Sequence, residues 1–286
     1  MILHRMVPTQ GGLRRGALYM VLGASFFALM GLCVKLASRG LGNPMIVFAR
    51  NAFGLLALLP LAVRVEGGLR TRHLTEHLVR SGAGLAGMYC FFHAIAHMRL
   101  ADAVLLSYSL PLFTPMIAFL WLGERVPRGL WRGILLGLAG IGLVLKPGQG
   151  VFEPVALFGV ASAVFTALAQ VGVRRLTETE PATRIVLYFS VIATAVSAVP
   201  LAWSWQAPEG DEWLLLVTMG MAATIAQLFL TRAYGQAPAA QIGPFIYACV
   251  PFAALLDGVV LGLWPDAWSV AGALLVCAAG IIILRT

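Results

Sequence analysis

The chain has 286 residues, of which 60% are hydrophobic and only 11% charged, at a mean hydropathy of +0.88. This is the composition of a membrane-embedded chain, and its apolar runs leave no room for a soluble catalytic or regulatory domain. The net charge of +8 is scattered rather than gathered into a basic run interleaved with aromatics, so anionic lipid headgroups suffice as its partners and nucleic acid does not fit.

In chain order the apolar runs predict helices over 16–37, 44–63, 79–97, 102–122, 129–146, 154–172, 184–202, 213–231, 239–261 and 267–284. Helices are the reading because lipid offers backbone groups no hydrogen-bond partners. The runs are continuous Leu/Ala/Val/Gly, not the alternating strands of a membrane barrel. Arg14 and Arg15 before the first run resemble a signal peptide. That run is too long and lacks a small-residue cleavage site, so an uncleaved first helix is expected. Connectors carry turn chemistry, as in Gly42-Asn43-Pro44, Pro147-Gly148-Gln149-Gly150 and Ala207-Pro208-Glu209-Gly210. Cys33, Cys90, Cys249 and Cys277 all fall inside predicted helices without a C-x-x-C pair, so neither a disulfide nor a zinc site is expected.

Lysine and arginine favour cytoplasmic connections. With the amino end inside, fifteen of them fall on inner segments (Arg80 among these) and four, Lys35, Arg39, Arg99 and Lys146, on outer ones. Both termini are therefore expected in the cytoplasm, with the protein in the inner membrane. The outer connection Ser204–Glu212 holds three acids and no base, and Trp203, Trp205, Trp213, Trp264 and Trp268 flank outer helix ends as interfacial aromatics do.

Shifted by 139–140 residues, the chain matches itself. Phe26 meets Phe165, Lys35 meets Arg174, Pro60 meets Pro200 and Pro111 meets Pro251, and the run from Gly140 to Lys146 meets that from Gly280 to Arg285. Each half, 1–150 and 151–286, then has five helices. Five is odd, so the second half enters the membrane from the opposite side. Inverted repeats of this kind belong to secondary transporters, with the substrate site near the midplane between the repeats and access alternating as one unit rocks against the other.

The run Ala94-Ile95-Ala96-His97-Met98-Arg99-Leu100-Ala101-Asp102-Ala103, continued by Leu110-Pro111-Leu112-Phe113 and Leu122-Gly123-Glu124-Arg125, resembles the drug/metabolite transporter superfamily, specifically its ten-helix EamA-type carriers. The second half keeps Ala233-Tyr234 and Pro251 but has Leu261-Gly262-Leu263 where many members carry Gly-Glu. The resemblance implies export of small metabolites, most often amino acids, with the aromatic amino acid exporters as the nearest subgroup. Carriers of S-adenosylmethionine or riboflavin share the architecture.

Ionisable groups inside a membrane are costly and mark function by default. Arg50 in the second helix is a candidate for a substrate carboxylate or a gate, against a packing or snorkelling role. Tyr89, His93 and His97, spaced four apart, form a polar stripe expected to face a central cavity, and the histidines would suit proton coupling. Two histidines at that spacing lack a third and fourth ligand, so no metal is expected, and no cofactor. Asp102 reads as a helix cap beside Arg99, whereas Asp257 is a candidate counter-ion for Arg50 or Lys35, or a coupling site. Pro111 and Pro115, repeat mates of the region of Pro244 and Pro251, predict paired kinks and a gate, with Ser107, Tyr108, Ser109, Thr114 and Tyr247 placing hydroxyls there. Gly129, Gly133 and Gly137 form a small-residue face for packing within the chain or for a weak homodimer, leaving the protein a monomer or a weak dimer. No P-loop is present, and acids are too few and scattered for a membrane enzyme. The expectation is an all-α secondary carrier exporting amino acids, apolar or aromatic ones favoured, with S-adenosylmethionine or riboflavin as the alternative cargo.

Overall fold

The computed structural model describes residues 10–62, 68–107, 109–122, 130–145, 154–236 and 242–285, and among them every regular element is helical. The first half comprises α1 (Gln10–Ala37), α2 (Asn43–Ala62), α3 (Leu74–His97), α4 (Leu100–Ser107), a 3-10 turn over Leu110–Leu112, α5 (Thr114–Leu122) and α6 (Leu130–Leu145). The second comprises α7 (Val155–Leu176), α8 (Ala182–Ala198), the short α9 (Leu201–Ser204), α10 (Glu212–Gln236), a 3-10 segment over Gly243–Ala248, α11 (Cys249–Leu261) and α12 (Ala267–Arg285). Helix thus occupies most of the described part of all ten predicted spans. Among the described residues four stretches are long and apolar enough by themselves to cross a membrane: Gly12–Ala37, Asn43–Leu61, Val155–Leu176 and Glu212–Gln236. Outward-facing Leu120, Leu135, Leu214, Val259 and Leu274 give the bundle an apolar exterior, a surface suited to lipid.

The fourth and ninth spans are broken by 3-10 segments, and the seventh turns at Val199–Pro200 between α8 and α9. Helix 102–122 is interrupted between Ser107 and Thr114, where Pro111 opens the 3-10 turn. Its mate begins as 3-10 helix over Gly243–Ala248 and becomes α-helical only from Cys249. Proline lacks the backbone donor an α-helix needs, so its neighbours tighten into i→i+3 bonding, as with Phe113 N–H donating to Leu110 O at 2.9 Å.

The two halves interlock by exchange. α1 packs along α10 and α3 packs along α7; α2 meets α10 as α3 meets α8; α2 meets α8, and α6 meets α12. Each pairing either maps onto another or onto itself when the halves are swapped, which is the signature of a two-fold relation. Individual residues repeat it. A Cβ on Gly23 would stand 3.2 Å from Ala226 O, and a Cβ on Gly87 would stand 3.4 Å from Ser162 O. Gly23 and Ser162 are 139 residues apart, as are Gly87 and Ala226. These are one contact made twice. The fold is all-α, membrane-embedded and built of two repeats.

The helix 5 glycine face is used inside the chain at Gly137, where an added Cβ would meet Leu112 Cδ2 at 2.4 Å; Gly129 lies outside the described residues. The tightest backbone crossing is at Gly220 of α10, where a Cβ would come within 2.5 Å of Phe53 Cβ and 2.9 Å of the Gly54 nitrogen on α2. We expect Gly220→Val to cost about 1–3 kcal/mol through overpacking. Gly82→Ala, with nothing within 4 Å, is expected to hold or raise stability. Thermal unfolding in detergent checks both.

Candidate substrate site between the repeats

α2 and α3 enter the bundle from opposite faces. Arg50 lies seven residues into α2 and Arg80 six into α3, so each sits roughly 10 Å below its own face and the two side chains converge in the interior. There α1, α2, α3, α7, α8 and α10 surround a cavity of about 740 Å³, counting its open mouth, with Ser107 and Leu110 of the broken helix as part of its wall. Phe27, Phe91, Phe92 and Phe189 make most of the lining apolar. Ser107, Ser162, Thr166, Gln170 and Gln227 add neutral polar groups.

Arg50 and Arg80 are buried, 2% and 3% exposed. Arg50 Nη1 donates to Asn51 Oδ1 at 2.8 Å, and Asn51 Nδ2 is itself held by donation to Val47 O. Arg80 Nη2 donates to Gln227 Oε1 at 3.1 Å, across the repeat interface. Both guanidiniums lie against the Phe189 ring, their central carbons 5.4 Å and 3.8 Å from its centroid. Cation–π contact of this kind offsets part of the cost of burial. Phe189 is 139 residues from Arg50, so positions equivalent in the two repeats face each other here with different chemistry. Gly172 makes space for the arginine stem, since a Cβ there would stand 3.2 Å from Arg80 Cβ; Gly84 does so for the ring, at 3.1 Å from Phe189 Cε2. Tyr234 donates its hydroxyl proton to Gln170 Oε1, which orients that amide in the wall.

Of the residues singled out in the sequence, Arg50 and Ser107 line this cavity. Tyr89, His93 and His97 do not. α3 presents Arg80, Gly84, Gly87 and Phe91 to it, and that face excludes the histidine stripe. His93 instead packs on Phe158 of α7 with ring centroids 4.5 Å apart, and exposed His97 stacks on His93 at 4.3 Å. The expectation that the stripe faces the cavity is thus corrected: the stripe lies on the side of α3 turned away from Arg80, Gly84, Gly87 and Phe91. Pro251 is exposed, away from the cavity. Pro111 sits in the 3-10 turn and Tyr247 in the 3-10 segment of the second half, while Tyr108 falls outside the described residues. Asp257 is fully buried and its charge acts on Lys35 rather than Arg50. Lys35 Nζ donates to Ile95 O and Met98 O, capping the end of α3. Arg80 is the residue sequence reasoning missed. It reads as one more basic group at an inner helix end, and only its 3.6-residue phase with Gly84, Gly87 and Phe91 hinted at an inward face.

Polar contacts tie the halves together at both ends of the bundle. On the predicted outer face Arg99 pairs with Asp102 at 2.7 Å in its own half and with Asp266 at 2.8 Å in the other, and also donates to Ser269 Oγ. Gly42 N–H donates to Gln206 Oε1 nearby. On the predicted inner face Glu76 pairs with Arg175 at 2.8 Å, Thr71 donates to Glu180 at 2.6 Å, and Arg184 reaches both Glu180 and Gly68 O. Burial alone would raise the Glu180 carboxyl, but the bonds from Thr71 and Arg184 and the Arg184 charge hold it below the usual glutamate range. A carboxyl lowered by folding stabilises fully above its unfolded value and loses that contribution as pH falls through the folded one. The melting temperature is therefore expected to fall below pH 4.5, the ordinary glutamate value, and Glu180→Gln to flatten that part of the profile. A melting series of both proteins from pH 7 to 3 reads it directly.

The EamA-like transporter family model matches residues 14–146 and again 154–285. The chain is 35% identical over 277 residues to the pseudopaline exporter CntI of Pseudomonas aeruginosa strain UCBPP-PA14, covering 96% of this chain and 97% of the relative. It is 28% identical over 257 residues to the riboflavin transporter of Vibrio cholerae, covering 88% and 86%. It is 26% identical over 241 residues to the S-adenosylmethionine uptake transporter of Rickettsia felis, covering 84% and 82%. None of these three is named for an aromatic amino acid. A solved structure described only as a crystal structure of protein has a TM-score of 0.68 at 21% identity, covering 92% of this chain and 95% of that one, which speaks for the fold alone.

Proposed function

The chain belongs to the EamA-like transporter family, a membrane transporter and not an enzyme, and from that premise we propose that it exports small amino-acid-type metabolites bearing a carboxylate and an apolar body. The observation that carries this reading is Arg50, buried in a largely phenylalanine-lined cavity between the two repeats. A guanidinium held there offers a carboxylate the strong, planar, charge-assisted recognition that an apolar wall lacks. The aromatic surfaces would take up the rest of the molecule. The relative named as an exporter supports the outward direction. Riboflavin and S-adenosylmethionine, the cargoes named for other relatives, are the competing substrates.

Movement would follow from the symmetry. We take residues 1–150 and 151–286 as the two rocking units, with the protein in the inner membrane and both termini cytoplasmic. Opening outward would break the Arg99–Asp266 pair, and opening inward would break Glu76–Arg175 and the Thr71–Glu180–Arg184 cluster. Because the cavity lies between these two layers, releasing them in turn would expose it to alternate sides. The 3-10 breaks at Leu110–Leu112 and Gly243–Ala248 are the natural flexing points, since neither carries a full α-helical hydrogen-bond ladder.

Liposomes containing the purified protein, preloaded in turn with radiolabelled phenylalanine, glutamate, S-adenosylmethionine and riboflavin, test the substrate. Amino acid efflux above protein-free vesicles is expected, and Arg50→Ala is expected to reduce it by at least roughly tenfold while Arg72→Ala does not. Flux of riboflavin alone would replace the proposed cargo. Orientation is tested separately in intact cells. A cysteine replacing Glu209 is expected to react with an impermeant maleimide from outside, and one replacing Thr177 only after permeabilisation; the reverse pattern would overturn the topology.

A further inference from the structure

Arg50 and Arg80 bring two positive charges into the cavity, and no described carboxylate answers them. Glu76 is spent on Arg175, Asp102 and Asp266 on Arg99, Glu178 on Arg174 and Glu180 on Arg184. Asp257 acts on Lys35, and Glu209, Asp211 and Glu212 lie on or beside the connection before α10. A buried cation without a counter-ion is among the costliest things a fold holds. We infer that the counter-ion is the cargo, and that the transported molecule carries two anionic groups of the carboxylate class, one for each guanidinium, on an apolar body. This rests on the transporter reading above and narrows its substrate.

The geometry suits a single small dianion. Both guanidiniums flank one ring, Phe189, so groups a few bonds apart on one molecule reach both. Each arginine keeps donors in reserve. Arg50 Nε, Arg80 Nε and Arg80 Nη1 are buried without a hydrogen-bond partner, and Ser107 Oγ in the same wall is likewise unmatched. A carboxylate accepts two parallel N–H bonds from one guanidinium, which is what such unspent donors can give. The fit for a simple zwitterion is poorer. Its carboxylate would satisfy one arginine, while its ammonium would stand beside the other with no described acid to meet it. With a dianion the cavity becomes neutral, and the cargo leaves the aqueous phase with its charge compensated.

The test uses the full-length protein in detergent, with equilibrium binding and ligand-induced thermal stabilisation measured for benzylsuccinate, 3-phenylpropionate and phenylalanine. These share a benzyl body and carry two carboxylates, one carboxylate, and one carboxylate plus an ammonium. Benzylsuccinate is expected to bind roughly 10- to 100-fold more tightly than either of the others. Arg80→Gln is expected to erase most of that preference, and Arg80→Lys, which keeps the charge but not the fork, to retain part of it. Equal binding of the three, or a preference undiminished in Arg80→Gln, overturns the inference. The wild-type comparison decides the matter even where Arg80→Gln fails to fold. Phenylalanine binding and flux without any benzylsuccinate preference would overturn the dianion alone and leave the transporter reading intact. Absence of binding and flux for every carboxylate probe would overturn both.

Discussion

Everything in this molecule depends on how closely α1 approaches α10 and α3 approaches α7. In a bilayer the helices gain little from hiding apolar surface, because lipid tails are as apolar as leucine. What holds them is close packing, and close packing needs small residues where backbones meet. Gly23 against Ala226 and Gly87 against Ser162 supply it, as one contact made twice by the repeat. Since each pair joins a helix of one half to a helix of the other, neither half completes its packing alone. The same interlock sets the walls of the cavity, whose floor and sides come from both repeats.

The interlock also explains why a symmetric frame holds an asymmetric site. Equivalent positions face each other across the α2–α8 contact, and there the chain has Arg50 on one side and Phe189 on the other. A second arginine, Arg80, reaches the same ring from α3 and crosses the repeat interface to Gln227 of α10. Two identical cationic residues at symmetric positions would repel one another in a low-dielectric interior. An aromatic mate instead accepts both cations on its face. The asymmetry thus turns a structural axis into a place with a definite chemical preference.

Polar chemistry elsewhere is spent on the ends. Arg99 with Asp102 and Asp266 bridges one face, and Glu76–Arg175, Thr71–Glu180 and Arg184–Gly68 O bridge the other. Ion pairs near water are individually weak. That weakness suits the proposed opening and closing of the two ends, whereas the small-residue contacts deeper inside are suited to persist.

The sequence by itself determined the membrane setting, the helical class and the duplication. Each follows from features written along one dimension: apolar run length, the backbone's need for internal hydrogen bonds, and matches such as Pro111 with Pro251. It also marked Arg50, because a charge seven residues into an apolar helix is conspicuous in any arrangement. Only the tertiary structure decided which side of each helix looks inward. Tyr89, His93 and His97 share a face of α3, and spacing alone leaves open what that face meets; His93 packs on Phe158 of α7 and His97 is exposed. Arg80 looked like one more basic residue at a helix end until the packing of Gly84 and Gly172 turned it into the cavity. Asp257 had two candidate partners in the sequence, and in the folded chain its charge acts on Lys35. Helix rotation is fixed by contacts between residues far apart in the chain, so that information exists only once the repeats have closed on each other.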